Sequence, residues 1–255
     1  MIIAQITDTH IRRKGKLLHH MVNPGKRLRK AIEHLNLLDP KPDVVLATGD
    51  LTESGKRKEY KRLRELLEPL RVPMYVIPGN HDRREVFREA FADQYYLPAY
   101  GPLNYTIEDY PVRLIALDTT NDGEAGGVMD DERLAWLDSR LALAPNRPTL
   151  IFMHHPPFRT GIRALDALGF RGADELGAIV RRNPQIERII CGHIHRAIEM
   201  RWNGTTICTA LSTAHQFALE LRSLHPLGIV LEPPGFALHI WGEGQMATHH
   251  CLVSP

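Results

Sequence analysis

The chain opens with MIIAQITDTH (residues 1–10), a mostly apolar run that ends in a carboxylate and an imidazole one residue apart, Asp8 and His10. Such a run reads as a buried strand. Taken alone, the pair at its end is a turn residue and a solvated histidine. The same design recurs along the chain, and the recurrence decides the fold. DVVLATGD (43–50) is an apolar run ending in Asp50, and PMYVIPGNHD (73–82) ends in Asn80 and His81. PTLIFMHHPP (148–157) ends in His154 and His155, and IERIICGHIH (186–195) in His193 and His195.

Helical patterns lie between these runs. KRLRKAIEHLNLL (26–38) repeats Leu28, Ile32, Leu35 and Leu38 at helical spacing, and EYKRLRELLEPL (59–70) places Tyr60, Leu63, Leu66, Leu67 and Leu70 on one side. RREVFREAF (83–91), DDERLAWLDSRLAL (130–143) and GADELGAIVRRN (172–183) are further helices; VRLIALDTT (112–120) and TTICTALS (205–212) are further strands. Strands alternating with helices predict parallel pairing, with connections that cross the sheet faces. The end of the chain loses the alternation. FALHIWGEGQMATHHCLV (236–253) reads as two antiparallel strands turning at Gly242 to Gly244. The expected fold is a layered α/β domain with two facing sheets and a C-terminal hairpin.

With 255 residues, 43% hydrophobic and 24% charged, the chain can bury a sizeable core as one large domain. A net charge of +2 gives no ground for a nucleic-acid polymer as partner. Cys191, Cys208 and Cys251 are scattered and form no CxxC pair, so neither a disulfide framework nor a thiolate metal site is expected. No apolar run approaches the ~18 residues of a membrane span, and the opening segment lacks the features of a signal peptide. A soluble protein of the cytoplasm, with no membrane partner, is the expectation.

In open α/β sheets the carboxyl ends of the strands line the functional crevice, so the polar strand ends should converge there. Gly49, Gly79 and Gly192 precede three of them and permit the tight turns that swing the next side chain inward. Imidazole, carboxylate and amide oxygen without thiolate suit Mn, Fe, Zn or Co. The candidate ligands exceed what one tetrahedral ion needs, and two divalent ions sharing a carboxylate, about 3.5–4 Å apart, fit the arithmetic.

The ordered set DTH (8–10), GD (49–50), GNHD (79–82), HHPP (154–157) and GHIH (192–195) resembles the calcineurin-like metallophosphoesterases, over roughly residues 1–215. GNHD and FMHHPP bring it nearest to the bacterial class III cyclic-nucleotide phosphodiesterases and glycerophosphodiesterases. The resemblance implies a four-layer α/β/β/α sandwich of two facing mixed sheets with flanking helices. It implies a metallophosphoesterase core over 1–215, and a β extension over 216–255 packed on the core or dimerising. Asp8, His10 and His195 would hold one ion, Asp50 would bridge, and Asn80, His154 and His193 would complete the second. His81 would bond a phosphate oxygen or protonate the leaving alkoxide, with Asp82 either orienting it or capping the next helix. Small phosphodiesters, cyclic nucleotides or glycerophosphodiesters, would be hydrolysed by a hydroxide that the ions generate. A phosphomonoesterase, or a scaffold without catalysis, is the alternative.

Around this set, Asn80, His81, His155, His195, Phe158 and His215 are the expected substrate contacts. Phe158, Arg159 and Phe170 belong to a loop, FRTGIRALDALGFRG (158–172), that can drape over the metal edge. The basic stretch IRRKGKLLHHMVNPGKR (11–27) forms either a solvated loop or a lip that meets substrate through His19 or His20. KRKEYKRLRELL (56–67) reads as a charged outer helix face. His249 and His250 are given no metal role. The hairpin's edge strands suggest a homodimer or a higher homo-oligomer.

Overall fold

Every apolar run that ends in a polar motif becomes a strand of one of two sheets. The structure, a computed structural model, describes residues 1–222 and 225–253. In chain order the elements begin with β1 (Ile2–Ile6), α1 (Pro24–Leu37), β2 (Val44–Thr48), α2 (Arg57–Leu67), β3 (Met74–Ile77) and α3 (Arg84–Ala90). Next come β4 (Tyr105–Ile107), β5 (Arg113–Leu117), β6 (Gly127–Val128), α4 (Asp131–Ala142), β7 (Thr149–Met153), α5 (Arg163–Asp166) and β8 (Phe170–Arg171). The chain finishes with α6 (Ala173–Arg181), β9 (Ile186–Cys191), β10 (Ile198–Trp202), β11 (Thr205–Thr209), β12 (Gln216–Phe217), β13 (Ile229–Val230), β14 (Gly235–Gly242) and β15 (Gln245–Leu252).

One sheet has the order β15-β14-β1-β2-β3 and the other β10-β11-β9-β7-β5-β4. The period-two alternation of side chains assigns each strand residue to a layer. Ile3, Val44, Leu46 and Ile77 of the first sheet face Leu114, Ala116, Leu150, Phe152 and Ile190 of the second, and together they form the core between the sheets. Their chain neighbours Ala4, Ile6, Val45, Ala47 and Val76 face outward, under Leu28, Ile32 and Leu35 of α1 and Tyr60, Leu63 and Leu66 of α2. On the far side, Ile115, Leu117, Ile151, Met153 and Ile189 are covered by Leu137 and Leu141 of α4 and by Leu176, Ile179 and Val180 of α6. The result is the expected α/β/β/α sandwich. Strands buried on both faces explain why their sequences are nearly continuous apolar runs.

The differences from the sequence have local causes. Helix α1 starts at Pro24, earlier than its apolar pattern, because the Asn23 side chain accepts from the Lys26 amide at 3.0 Å and Pro24 suits the first turn. Strands β4 and β10 were not anticipated; β10 reads Ile-Glu-Met-Arg-Trp with an exposed middle, so it lacks an apolar run. The segment 158–172 is no open loop: it holds α5 and pairs β8 with β6.

The hairpin turns at Glu243 and Gly244, both with positive φ, as a two-residue turn of the primed kind requires. It does more than pack on the core. Strand β14 runs antiparallel to β1, from Ile2↔Ile240 to Gln5↔Ala237, and the Met1 amine donates to the Trp241 carbonyl at 3.0 Å. The last strands are inserted in the same sheet as the first. Among the described residues, no helix is long and apolar enough to cross a membrane.

Candidate metal centre

All seven predicted ligand residues sit just past the carboxyl ends of parallel strands: Asp8 and His10 after β1, Asp50 after β2, Asn80 after β3, His154 after β7, and His193 and His195 after β9. Turning so sharply out of a strand needs unusual backbone. Asp8, His10, Asp50, His193 and His195 all carry positive φ, of 52°, 44°, 49°, 69° and 51°. A left-handed backbone at a non-glycine residue costs on the order of 1–3 kcal/mol and persists where surrounding contacts over-determine it. Those contacts are present. The Asp8 amide donates to Gly49 O at 3.0 Å, the His10 amide to Asp50 O at 2.9 Å, and the His193 amide to Asp8 Oδ2 at 3.0 Å. The glycines serve a different end from the one expected at Gly192: its φ is not in the left-handed region, but a Cβ there would collide with the Thr7 hydroxyl.

Three rings have their outer nitrogen committed and their inner nitrogen turned to a common interior. His154 donates from Nδ1 to Thr48 O at 2.8 Å, and its Nε2 lies 3.4 Å from Asp50 Oδ2 and 3.2 Å from Asn80 Oδ1. His195 donates from Nδ1 to His215 O at 2.9 Å, with Nε2 3.2 Å from Asp8 Oδ1 and 3.1 Å from His10 Nε2. His10 donates from Nδ1 to Glu53 Oε2 at 2.9 Å, leaving Nε2 3.7 Å from Asp50 Oδ2. Such outer bonds fix the tautomer and plane of an imidazole whose other nitrogen takes a cation. Donor atoms of Asp8, His10 and His195 lie within 4.8 Å of one another, as do those of Asp8, Asp50 and His154, and those of His154, His155 and His193.

The charges in this cluster are unusual. Asp8 and Asp50 are buried, and among the described residues their only ion-pair partners are histidines. Burial would raise Asp8, but the His195 ring overrides it and holds the carboxyl down at about 2. Burial opposes charge on His154, yet the Asp50 carboxylate lifts that ring to about 9. His193, desolvated and beside His154, is pushed down to about 3. Protonation is thus favoured on His154 by Asp50 and on His10, against burial, by Glu53, Asp50 and Asp8, which places positive charge beside the two buried carboxylates. Buried anions are paired or coordinate metals. The donors therefore fit a pair of cations that would displace those protons.

The ion-free protein should show this balance in its pH dependence. His154 is raised, so its contribution is full below about 6.5 and lost as pH climbs towards about 9. His193, His215 and His239 are lowered, to about 3, 2 and 3, so their contribution is present above about 6.5 and lost as pH falls. Melting temperature in chelator should peak near neutral and decline on both sides. A flat profile from pH 6.5 to 9 would contradict the His154–Asp50 pairing.

The profile of the calcineurin-like phosphoesterases matches residues 1–197. The chain belongs to this family. Calcineurin-like phosphoesterases are dinuclear, metal-dependent proteins, in keeping with the His/Asp clusters above. The chain is 41% identical to the "Probable glycerophosphodiester phosphodiesterase GpdQ" of Arcobacter nitrofigilis, over 98% of this chain and 92% of that protein. It is 32% identical to the 3',5'-cyclic adenosine monophosphate phosphodiesterase CpdA of Escherichia coli K12, over 84% of this chain and 77% of that one. A dimetal phosphatase from Danio rerio shares the fold, with a TM-score of 0.71 at 15% identity, covering 100% of this chain and 96% of that chain.

The rest of this phosphoesterase site departs from the sequence reading in places. His81 is half-exposed; its amide donates to Asp50 Oδ1 at 2.8 Å and its Nδ1–H to Glu53 O at 2.9 Å, which leaves Nε2 4.0 Å from Asp50 Oδ2. Asp82 neither orients His81 nor caps α3. It accepts from the amides of Leu51, Thr52 and Gly79 and from the Tyr60 hydroxyl, so it ties the β2 and β3 loops together, and Arg83 takes the cap position without a side-chain bond. His155 is buried behind His154 and His193, with Nδ1 2.8 Å from the Thr119 hydroxyl and, among the described residues, no hydrogen-bond partner for Nε2. Together with His193 it walls a cavity of about 310 Å3 whose other lining includes Phe158, Arg159 and Phe170.

His215 is also buried, its ring centroid 4.6 Å from His195 and 4.9 Å from His19. The basic segment thus reaches the site's edge through His19; it folds back on itself and packs Leu18 and Val22 against Ala214. His249 and His250 lie exposed on β15. Two participants escaped the sequence reading. Phe217 stacks on His195 with centroids 4.3 Å apart, and Glu53 contacts both His10 and His81. Only proximity to GD and to His215 could have flagged them, since neither belongs to a motif.

Proposed function

We infer that this protein is a dinuclear-metal phosphodiesterase that hydrolyses small phosphodiesters, namely 3',5'-cyclic nucleotides, glycerophosphodiesters or both. The observation that carries the inference is the pair of buried carboxylates, Asp8 and Asp50, whose ion-pair partners among the described residues are all histidines, past the carboxyl ends of strands from both sheets. The names of the relatives support the substrate class. Asp8, His10 and His195 would hold the first ion, Asp50 both, and Asn80, His154 and His193 the second. The donor set suits Mn or Fe, and also Zn or Co. Bound there, the ions supply an ionised water and neutralise charge on the phosphoryl oxygens.

The remaining work falls to side chains. His81 has Nδ1–H committed to the Glu53 carbonyl, so its Nε2 donates only when the ring carries a second proton. In that form it bonds a phosphoryl oxygen, then passes the proton to the leaving alkoxide as a general acid. His155, Phe158 and His215, with Asn80 and His195, would surround the ester's two arms. The wall of Phe158 and Phe170 gives an aromatic or apolar arm a surface to bury.

Metal-reconstituted enzyme should hydrolyse bis(p-nitrophenyl) phosphate faster than p-nitrophenyl phosphate, by about tenfold or more in kcat/KM, a barrier difference of about 1.4 kcal/mol. Cyclic AMP and glycerophosphoethanolamine, offered beside them, separate the two diester classes. The opposite ranking of the aryl esters would make the protein a phosphomonoesterase. Absence of turnover in a fully metallated sample would leave a scaffold.

A further inference from the structure

Glu53 lies three residues beyond Asp50, half-buried at the edge of the centre. Its carboxylate accepts the Nδ1–H of His10 at 2.9 Å, and its main-chain carbonyl accepts the Nδ1–H of His81 at 2.9 Å. One residue therefore commits the outer nitrogens of two rings and leaves both Nε2 atoms toward the same interior. The rings stand edge to face with centroids 4.8 Å apart, so a turn of one would crowd the other. The main chain here is fixed independently of the carboxylate. The Glu53 amide donates to Ile11 O at 3.1 Å and the Ile11 amide to Leu51 O at 3.1 Å. A change of side chain therefore leaves the carbonyl that holds His81 in place and removes only the hold on His10.

We propose that Glu53 is a positioning residue that joins the metal half of the centre to its proton-donating half. Its carboxylate fixes the tautomer and plane of His10 for the first ion and strengthens Nε2 as a donor. Its carbonyl sets His81 at a constant reach from the same ions. A carboxylate behind a metal-binding imidazole is worth about 10–100-fold in metal affinity. The second ion, held through Asn80, His154 and His193, gains nothing from Glu53. The assignment rests on the two-ion reading above.

Calorimetric titration of Mn into chelator-stripped wild type, Glu53→Ala and Glu53→Gln tests it without recourse to turnover. Wild type should show two binding events. Glu53→Ala should weaken one of them about 10–100-fold and spare the other. Glu53→Gln, whose amide oxygen can still accept from His10 Nδ1, should recover most of the loss. Unchanged affinities in Glu53→Ala would overturn the proposal. So would equal weakening of both events, which marks general loosening of the fold. A wild-type protein that binds fewer than two ions would remove the two-ion reading itself, and the role of Glu53 with it.

Discussion

Asp50→Asn is expected to lower kcat about 10³-fold and to reduce the bound metal from two ions to one or fewer. The substitution keeps shape and keeps an oxygen for the His81 amide, which now donates to Asp50 Oδ1 at 2.8 Å. What it removes is the charge that both proposed ion positions share, from a carboxylate that is 2% exposed and, among the described residues, pairs with no Lys or Arg. Metal-borne stabilisation of a phosphoryl transition state amounts to several kcal/mol, and about 1.4 kcal/mol corresponds to tenfold in rate. Elemental analysis alongside diester hydrolysis checks the claim. Two ions retained, with activity within tenfold of wild type, would end the proposal that Asp50 bridges.

His81→Ala should have the opposite signature. Turnover should fall about 10²–10⁴-fold, the range for a positioned general acid, with metal content intact. The His81 ring is half-exposed and, among the described residues, hydrogen-bonds only to the Glu53 carbonyl, so the fold depends little on it. Asn80→Ala, one residue away, should instead weaken one ion, because its Oδ1 lies 3.2 Å from His154 Nε2 inside the cluster. Equal loss of metal from the two variants would undo this division of roles.

How much of this was legible beforehand follows from what sequence encodes locally. Strands buried on both faces announce themselves as apolar runs, and five of those runs end in imidazole, carboxylate or amide side chains, so two facing sheets and the convergence of polar strand ends could be read directly. The choice of seven ligands that leaves out His81 and His155 came instead from the resemblance to the family. Strand β10 could not, because its outer-edge position leaves the middle residues exposed and removes the pattern. Asp82 was misread because a carboxylate before a helix is the local signature of a cap. Apart from the local Gly79 amide, its partners Leu51, Thr52 and Tyr60 are 22–31 residues away. Glu53 was invisible for the same reason: its meaning lies in contacts with His10 and His81, which only the folded chain brings together.

The pairing of β14 with β1 has a consequence for biosynthesis. Of the proposed ligands the ribosome makes Asp8 and His10 before the others, yet β1, the strand they follow, gains its second hydrogen-bonded neighbour only when residues 235–242 emerge. Until then β1 keeps a bare flank, the kind that recruits foreign strands, while the helices over β2 and β3 can already settle. A nascent polypeptide stalled before Gly235 would hold every proposed ligand and still lack the clasp that closes β1.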